Sequence, residues 1–218
     1  MKVFTKKHDL VIKTCNHGHT ESSHPNCFLV NGQPRWYREA SKCYFDIEAS
    51  GLALDIGIMY SWCLKPRDGK MVKRVITQKE LMDSNIQDKE VARELINELC
   101  KYDILVTHYG QRYDIPAIRT VALYWNLDFP VYGTIYNVDT WNIAKSKLRI
   151  HSNRLESIMM HLGYTGKTSL EPRVWRRAAS GDKAALSRIL YHNEKDVVVL
   201  EQIHKRLEKF SRVNKTSI

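Results

Sequence analysis

The stretch "KCYFDIEASG", residues 42–51, places two acidic residues in a segment that otherwise has the composition of a strand. Successive side chains of a strand point to opposite faces, so Phe45 and Ile47 share one face. Asp46 and Glu48 share the other face and are neighbours on it. Taken alone, these acids indicate the solvent side of a half-buried strand. The rest of the chain decides whether they do more.

Two further strand-like segments follow at residues 56–64 and 71–77, and the turn sequence "KPRDGK" separates them. Three consecutive strands at this spacing predict an antiparallel meander. Beyond them, "DKEVARELINELCKY" and "YDIPAIRTVALYW" have helical periodicity, whereas "DILVTHY" (103–109) and "YNVDT" are short and strand-like. The remainder is mainly helical. This order predicts an α/β domain with a mixed sheet, in which helices flank antiparallel and then parallel strands.

A late segment, "LSRILYHNEKDVVVLEQIHKRLEKF", carries an acid on an apolar stripe. Asp196 lies seven residues after Ile189 and four before Leu200, and His192 lies four before Asp196, so these residues share one helical face. A buried lone carboxylate costs several kcal/mol or has a raised pKa. We therefore expect Asp196 to have a cation beside it. A salt bridge to one of the many lysines and arginines is the alternative.

Asp114 opens a segment in which Pro116 fits the first turn of a helix, so the sequence predicts that Asp114 is its N-cap. The residues before it, "LVTHYGQRYD", read as a strand that ends in a glycine-containing loop and leads into a helix. Ligands of α/β folds bind at such places. Asp114 is therefore also a candidate functional residue.

The ordered set of Asp46 and Glu48 in a first strand, Asp114 opening a helix and Asp196 in a late helix resembles the motifs of the DEDD 3′-to-5′ exonucleases. This family belongs to the ribonuclease-H-like superfamily. "VDTWNIAKSKLRIHSNRLESIMMHLGY" resembles its linking segment, with Asp139 in the usual "DT". The similarity covers about residues 42–208.

The resemblance implies two Mg²⁺ or Mn²⁺ ions held by Asp46, Glu48, Asp114 and Asp196. Such ions prefer hard oxygen ligands, and a pair of them clamps a scissile phosphate from both sides. A fifth residue of the family assists the water: one branch has Tyr four residues before the last Asp, the other His five before it. This chain has these two residue types exchanged, with His192 at minus four and Tyr191 at minus five. Because His192 shares a helical face with Asp196, we predict that His192 assists the water.

The segment "CNHGHTESSHPNC" brings five candidate metal ligands into thirteen residues and lacks apolar residues for a core. Thiolates and imidazoles are the usual ligands of structural zinc. We predict one structural Zn²⁺ held by four of these five residues, and the choice between His17 and His19 stays open. A polar loop with a chance cluster of histidines is the alternative. The candidates are Cys15, His17, His19, His24 and Cys27.

The positive charge is uneven along the chain. Residues 1–140 hold 18 Lys and Arg against 17 Asp and Glu, and residues 141–218 hold 16 against 7, out of a net charge of +10. This asymmetry favours a polyanionic partner, because basic residues that neutralise phosphates release counterions. The candidate nucleic-acid contacts are His108, Tyr109, Arg112, Trp175 and Arg176.

The 218 residues predict a small Cys/His module at residues 1–40 and a ribonuclease-H-like exonuclease domain at residues 41–218. No apolar run is long enough to cross a bilayer and no secretory signal is evident, so we expect a cytoplasmic protein without a membrane partner. Cys43, Cys63 and Cys100 lie in apolar stretches and are predicted to be buried.

These features predict a metal-dependent 3′-to-5′ exonuclease that acts on single-stranded DNA or RNA. Two alternatives remain open. One is a nucleic-acid-binding protein with a vestigial site, which the exchanged His and Tyr would fit. The other is an endonuclease on the same fold, because a fold alone does not fix the reaction.

Overall fold

The computed structural model of the protein describes residues 15–21, 23–30, 33–166, 168–211 and 216–218. The described residues up to Glu39 form one compact unit and Ala40–Ile218 form a second. In the first unit, a short 3₁₀ turn, Pro25–Phe28, and one helical turn, Arg35–Glu39 (α1), are the regular elements of its described part.

The second unit contains a five-stranded mixed sheet. Its strands are β1 Lys42–Ala49, β2 Met59–Pro66, β3 Val72–Val75, β4 Ile104–Thr107 and β5 Tyr136–Asp139. They lie in the order β3-β2-β1-β4-β5, with β1, β2 and β3 antiparallel and β1, β4 and β5 parallel. The predicted fold class is therefore confirmed, and β1 is the central strand.

Seven helices of this unit surround the sheet in the described part of the chain. They are α2 Gln78–Met82, α3 Lys89–Leu99, α4 Asp114–Tyr124, α5 Thr140–Lys147, α6 Leu155–His161, α7 Pro172–Ala179 and α8 Lys183–Leu207. None of the helices described is both long enough and apolar enough to cross a membrane.

The two faces of β1 pack against different helices. Phe45 and Ile47 belong to the main hydrophobic core together with Leu95 of α3 and Ile118 of α4. On the other face α8 packs against β1 and β2. Asp182 caps the start of α8 by accepting a hydrogen bond from the backbone N–H of Ala185 at 2.8 Å. This long helix therefore covers the sheet face on which the two acids of β1 lie.

The cysteine prediction is correct for two residues and wrong for the third. Cys43 and Cys63 are fully buried in β1 and β2, whereas Cys100 is exposed. Cys100 follows the last residue of α3 and forms its C-cap. The buried stripe of α3 ends at Leu99, so its apolar neighbours in the sequence do not extend burial to Cys100.

We predict that burial of His204 makes the fold acid-sensitive. His204 lies fully buried on α8 with its Nδ1 3.4 Å from the Tyr44 hydroxyl. Desolvation lowers its pKa to about 4, against about 6.5 in an unfolded chain. Between these values the unfolded state binds the proton and the folded state does not, so stability falls as pH falls from about 6.5 to about 4.

Urea unfolding of the parent and of His204→Gln at pH 7 and pH 4.5 measures this effect. The parent should lose about 2 kcal/mol more than the variant between the two pH values. Equal losses in the two proteins would show that His204 does not cause the sensitivity.

Candidate functional site

The acids of β1 lie where its pairing with β4 ends. The parallel register runs from Lys42 opposite Ile104 to Tyr44 opposite Val106 and goes no further. Asp46 and Glu48 follow this point and remain paired with β2 on the other side. Because β4 itself ends at Thr107, the second half of β1 has no strand of the described chain beside it on that side, and this leaves a gap.

Asp114 fills this gap, but not as the predicted N-cap. It is the first residue of α4, the cap position is Tyr113, and no side chain caps this helix. The Asp114 carboxylate instead accepts a hydrogen bond from the backbone N–H of Ile47 at 3.1 Å. The N-cap prediction is therefore wrong, because the strand offers the carboxylate a buried backbone donor. Asp114 thus lies against β1 between the positions of Asp46 and Glu48.

Burial dominates the electrostatics of Asp114. The residue is only 3% exposed, and this desolvation raises the pKa of its carboxyl group to about 7. The hydrogen bond from Ile47 opposes the shift, and the charge of Asp139 adds to it. Two carboxylates placed this way favour a nearby positive charge.

The stripe of α8 brings Asp196 and His192 onto the acidic face of β1. Asp196 is buried, as its position on the stripe predicts. His192 Nε2 lies 3.6 Å from Glu48 Oε1 and 3.9 Å from Asp196 Oδ2. One ligand atom from each of these three residues lies within 4.8 Å of the other two, a spacing that could hold a metal ion. Asn193 of the same helix donates to the backbone carbonyl of Asp46 at 3.4 Å, which fixes α8 to β1.

Tyr191, the other candidate to assist the water, points elsewhere. Its side chain is half exposed, with the ammonium group of Lys195 5.0 Å from its ring centroid. His192 has a further partner that the sequence did not indicate: its Nδ1 lies 2.7 Å from the Thr168 hydroxyl. Thr168 lies in a loop without periodicity, so no local signal identifies it.

An open cleft of about 470 Å³ joins the acids of β1, α4 and α8 to the loop after β4. All four predicted acids line it, and so do three of the candidate nucleic-acid contacts, His108, Tyr109 and Arg112. His108 is held at both ring nitrogens, by the Thr140 hydroxyl and by the carbonyl of Asn153, each at 2.9 Å.

The other two candidate contacts lie on α7 and do not line this cleft. Trp175 stacks on Tyr60 of β2, with 6.3 Å between ring centroids, and packs against the core. Arg176 is exposed on the same helix. The structure thus brings three of the five candidate contacts to the acids and places Trp175 and Arg176 elsewhere in the described chain.

The first unit contains a second group of potential metal ligands. The ligand atoms of Cys15, His17, His19 and Cys27 all lie within 4.8 Å of one another. His24 lies outside this group, although its Nδ1 is 3.0 Å from the sulfur of Cys27. The group thus contains both His17 and His19, between which the sequence left the choice open.

The surroundings of the Cys15 thiol favour its deprotonation. Desolvation raises its pKa, but hydrogen bonds from the backbone N–H groups of His17 and His19 and from the side chains of Cys27 and His17 together outweigh this effect and hold the pKa at about 6. A thiolate is the form of cysteine that binds metals.

A family model of the RNase H superfamily matches residues 43–208. The chain belongs to the RNase H superfamily. The match includes all four acids and His192, and the Cys/His group lies outside it. None of the curated proteins matches the chain.

A solved structure shares the superfamily fold. It is that of the family B DNA polymerase from the hyperthermophilic archaeon Pyrobaculum calidifontis, with a TM-score of 0.60 and 16% sequence identity. The similarity covers 76% of this chain and 24% of the polymerase chain, so this protein spans about a quarter of the length of that chain. At this identity the likeness shows the fold alone.

Proposed function

We propose that the protein is a metal-dependent 3′-to-5′ exonuclease acting on single-stranded nucleic acid. Membership of the RNase H superfamily supports a nuclease function in general. The observation that carries the finer proposal is the convergence of Asp46, Glu48, Asp114 and Asp196 on one open cleft, in the chain order of the DEDD exonucleases. The open form of the cleft fits a strand end better than an enclosed small molecule.

The donor set fits two divalent cations. Four carboxylates supply hard oxygen ligands, which Mg²⁺ and Mn²⁺ prefer, and two of them are buried, where unneutralised charge is costly. When bound, such a pair of ions activates a water and neutralises the charge that develops on the phosphate and the leaving 3′ oxygen. Asp46, Glu48 and Asp196 would hold one ion, and Asp46 with Asp114 the other.

His192 would orient the attacking water and accept its proton. Its Nε2 faces Glu48 and Asp196, and the Thr168 hydroxyl holds its Nδ1. If Nδ1 donates to the Thr168 oxygen, Nε2 keeps a lone pair toward the carboxylates. An imidazole in this state is a suitable general base near neutral pH. Thr168 is then a positioning residue.

We also propose that Cys15, His17, His19 and Cys27 bind one structural Zn²⁺. Two sulfur and two nitrogen donors match a closed tetrahedral zinc site. Among the described residues of the first unit, only Tyr37 is buried. Because so little apolar surface is buried there, a bound metal would supply much of the folding energy of this unit.

One prediction concerns the reaction. With Mg²⁺ or Mn²⁺, the protein should shorten 5′-labelled single-stranded DNA or RNA from the 3′ end and give a ladder, and Asp46→Asn should reduce the rate at least about a thousandfold, because an ion ligand is lost. Gel electrophoresis of the products measures both. Internal cuts would identify an endonuclease instead, and binding without cleavage by the parent would identify a vestigial site.

Another prediction assigns the residue that assists the water. His192→Ala should reduce kcat about 10²- to 10⁴-fold, whereas Tyr191→Phe should leave kcat unchanged. Thr168→Val should reduce kcat about tenfold, and Thr168→Ser, which keeps the hydroxyl, should restore it. Single-turnover cleavage rates measure the series. An active His192→Ala enzyme beside an inactive Tyr191→Phe enzyme would reverse the assignment.

A separate prediction concerns zinc. Purified protein should contain one zinc ion per chain by elemental mass spectrometry, and Cys15→Ser and Cys27→Ser should lose it. His24→Ala is the matched control and should retain zinc, because His24 lies outside the four-ligand group. Metal-free protein in which Cys15→Ser folds as the parent does would refute the site.

A further inference from the structure

Two cations lie on one tryptophan at the edge of the acidic cleft. The guanidinium of Arg112 is 4.5 Å from the ring centroid of Trp141, and the ammonium group of Lys145 is 4.7 Å from it. Trp141 and Lys145 lie one turn apart on α5, and Arg112 comes from the loop before α4. The indole therefore holds cations from two separate elements close together.

The charge of this cluster is not neutralised by an acid. Across the ranges that the structure describes, neither Arg112 nor Lys145 forms a salt bridge. Arg112 donates to the neutral side chain of Asn142 at 3.0 Å, and both cations are exposed. A guanidinium on an aromatic face keeps its remaining N–H donors for an anion, and arginine matches phosphate well.

The loop that carries Arg112 is held in one conformation. Buried Asp139 accepts hydrogen bonds from the backbone N–H groups of Tyr109 at 2.9 Å and Gln111 at 3.2 Å. A Cβ at Gly110 would lie 2.5 Å from the side chain of Thr107, so the loop packs tightly on the end of β4. Tyr109 has a φ of +67°, a strained value that a tyrosine rarely adopts and that clusters at functional sites.

This conformation presents the Tyr109 ring to the cleft. Tyr109 is 42% exposed, and its ring lies edge-on to Trp141, with 5.1 Å between centroids. Tyr109 and Arg112 line the same cleft as the four acids. An aromatic face beside a cation is the combination on which bases stack in single-strand binding sites.

The positive charge continues away from the cleft. Residues 141–155 contain Lys145, Lys147, Arg149 and Arg154, all exposed, and no acidic residue. This basic segment is fixed to the cleft through His108, whose Nε2 lies 2.9 Å from the carbonyl of Asn153. Basic side chains of this segment supply charge that suits the phosphates of a strand leaving the carboxylates on this side.

We propose that Arg112 and Lys145, held on Trp141, form a phosphate clamp for a single nucleic-acid strand, with Tyr109 as the stacking surface for a base. The clamp binds a phosphodiester next to the one at the carboxylates and sets the path of the strand along residues 145–154. Trp141 acts as a positioning residue for the two cations. This inference rests on the proposed function, because it takes the strand as the substrate of the acidic site.

Strand binding without cleavage tests the clamp. Fluorescence anisotropy with a labelled fifteen-nucleotide single strand is measured in an Asp46→Asn background without added divalent metal. Trp141→Ala and Arg112→Ala should each weaken binding about tenfold, in the range known for stacking and phosphate contacts. Arg112→Ala should also lower the slope of log K against log salt by about one. Lys101→Ala is the matched control and should bind as the background does, since Lys101 is an exposed lysine at the opposite end of β4.

Trp141→Phe keeps an aromatic face for the cations and should bind within about threefold of the background. If Trp141→Ala does not fold, as judged by circular dichroism, exposed Arg112→Gln gives the decisive affinity. If the Trp141 and Arg112 variants bind the strand as tightly as the background protein does, the clamp is refuted, even when the parent protein cleaves strands. Clamp-dependent binding by a parent that cleaves nothing supports the clamp and refutes the proposed function.

Discussion

The hydrogen bond from the backbone of Ile47 to the carboxylate of Asp114 is the contact on which the site depends. It forms because β1 extends beyond the end of its pairing with β4, so that a buried backbone donor requires an acceptor. A carboxylate from α4 satisfies it. The start of α4 is thereby fixed to the centre of the sheet, between two residues that are themselves acidic.

Burial makes the site electrostatically costly, and the hydrogen bonds of its carboxylates partly offset that cost and hold its geometry. Burial raises the pKa values of both Asp114 and Asp139, and each of them accepts backbone hydrogen bonds that favour the charged form. Asp139 binds the loop after β4, and Asp114 binds β1, so residues 108–114 are held at both ends. Cations at the carboxylates would remove the electrostatic cost and leave the rigidity, which is the arrangement expected of a preorganised metal site.

The elements that local patterns specify could be predicted from the sequence. The alternation around Asp46 predicts its face on β1, and the helical spacing around Asp196 predicts its burial on α8, because each pattern records contact with a single packed layer. Contacts between residues that are far apart in the chain could not be predicted from local patterns. Asp114 has the local features of an N-cap, but a strand 67 positions away in the chain takes its carboxylate. Trp141 and Lys145 are one turn apart in the sequence, whereas Arg112 meets them only in the folded protein.

Helix geometry decides which of His192 and Tyr191 reaches the carboxylates. A residue four positions before Asp196 lies about 40° from it around the helix, and a residue five positions before lies about 140° away. His192 accordingly faces Glu48 and Asp196, and Tyr191 lies beside Lys195 in solvent. At the position where one branch of the family that the sequence resembles carries Tyr, this chain carries the imidazole that the other branch has one residue earlier. The position decides which side chain reaches the carboxylates, and the residue type decides what that side chain can do there.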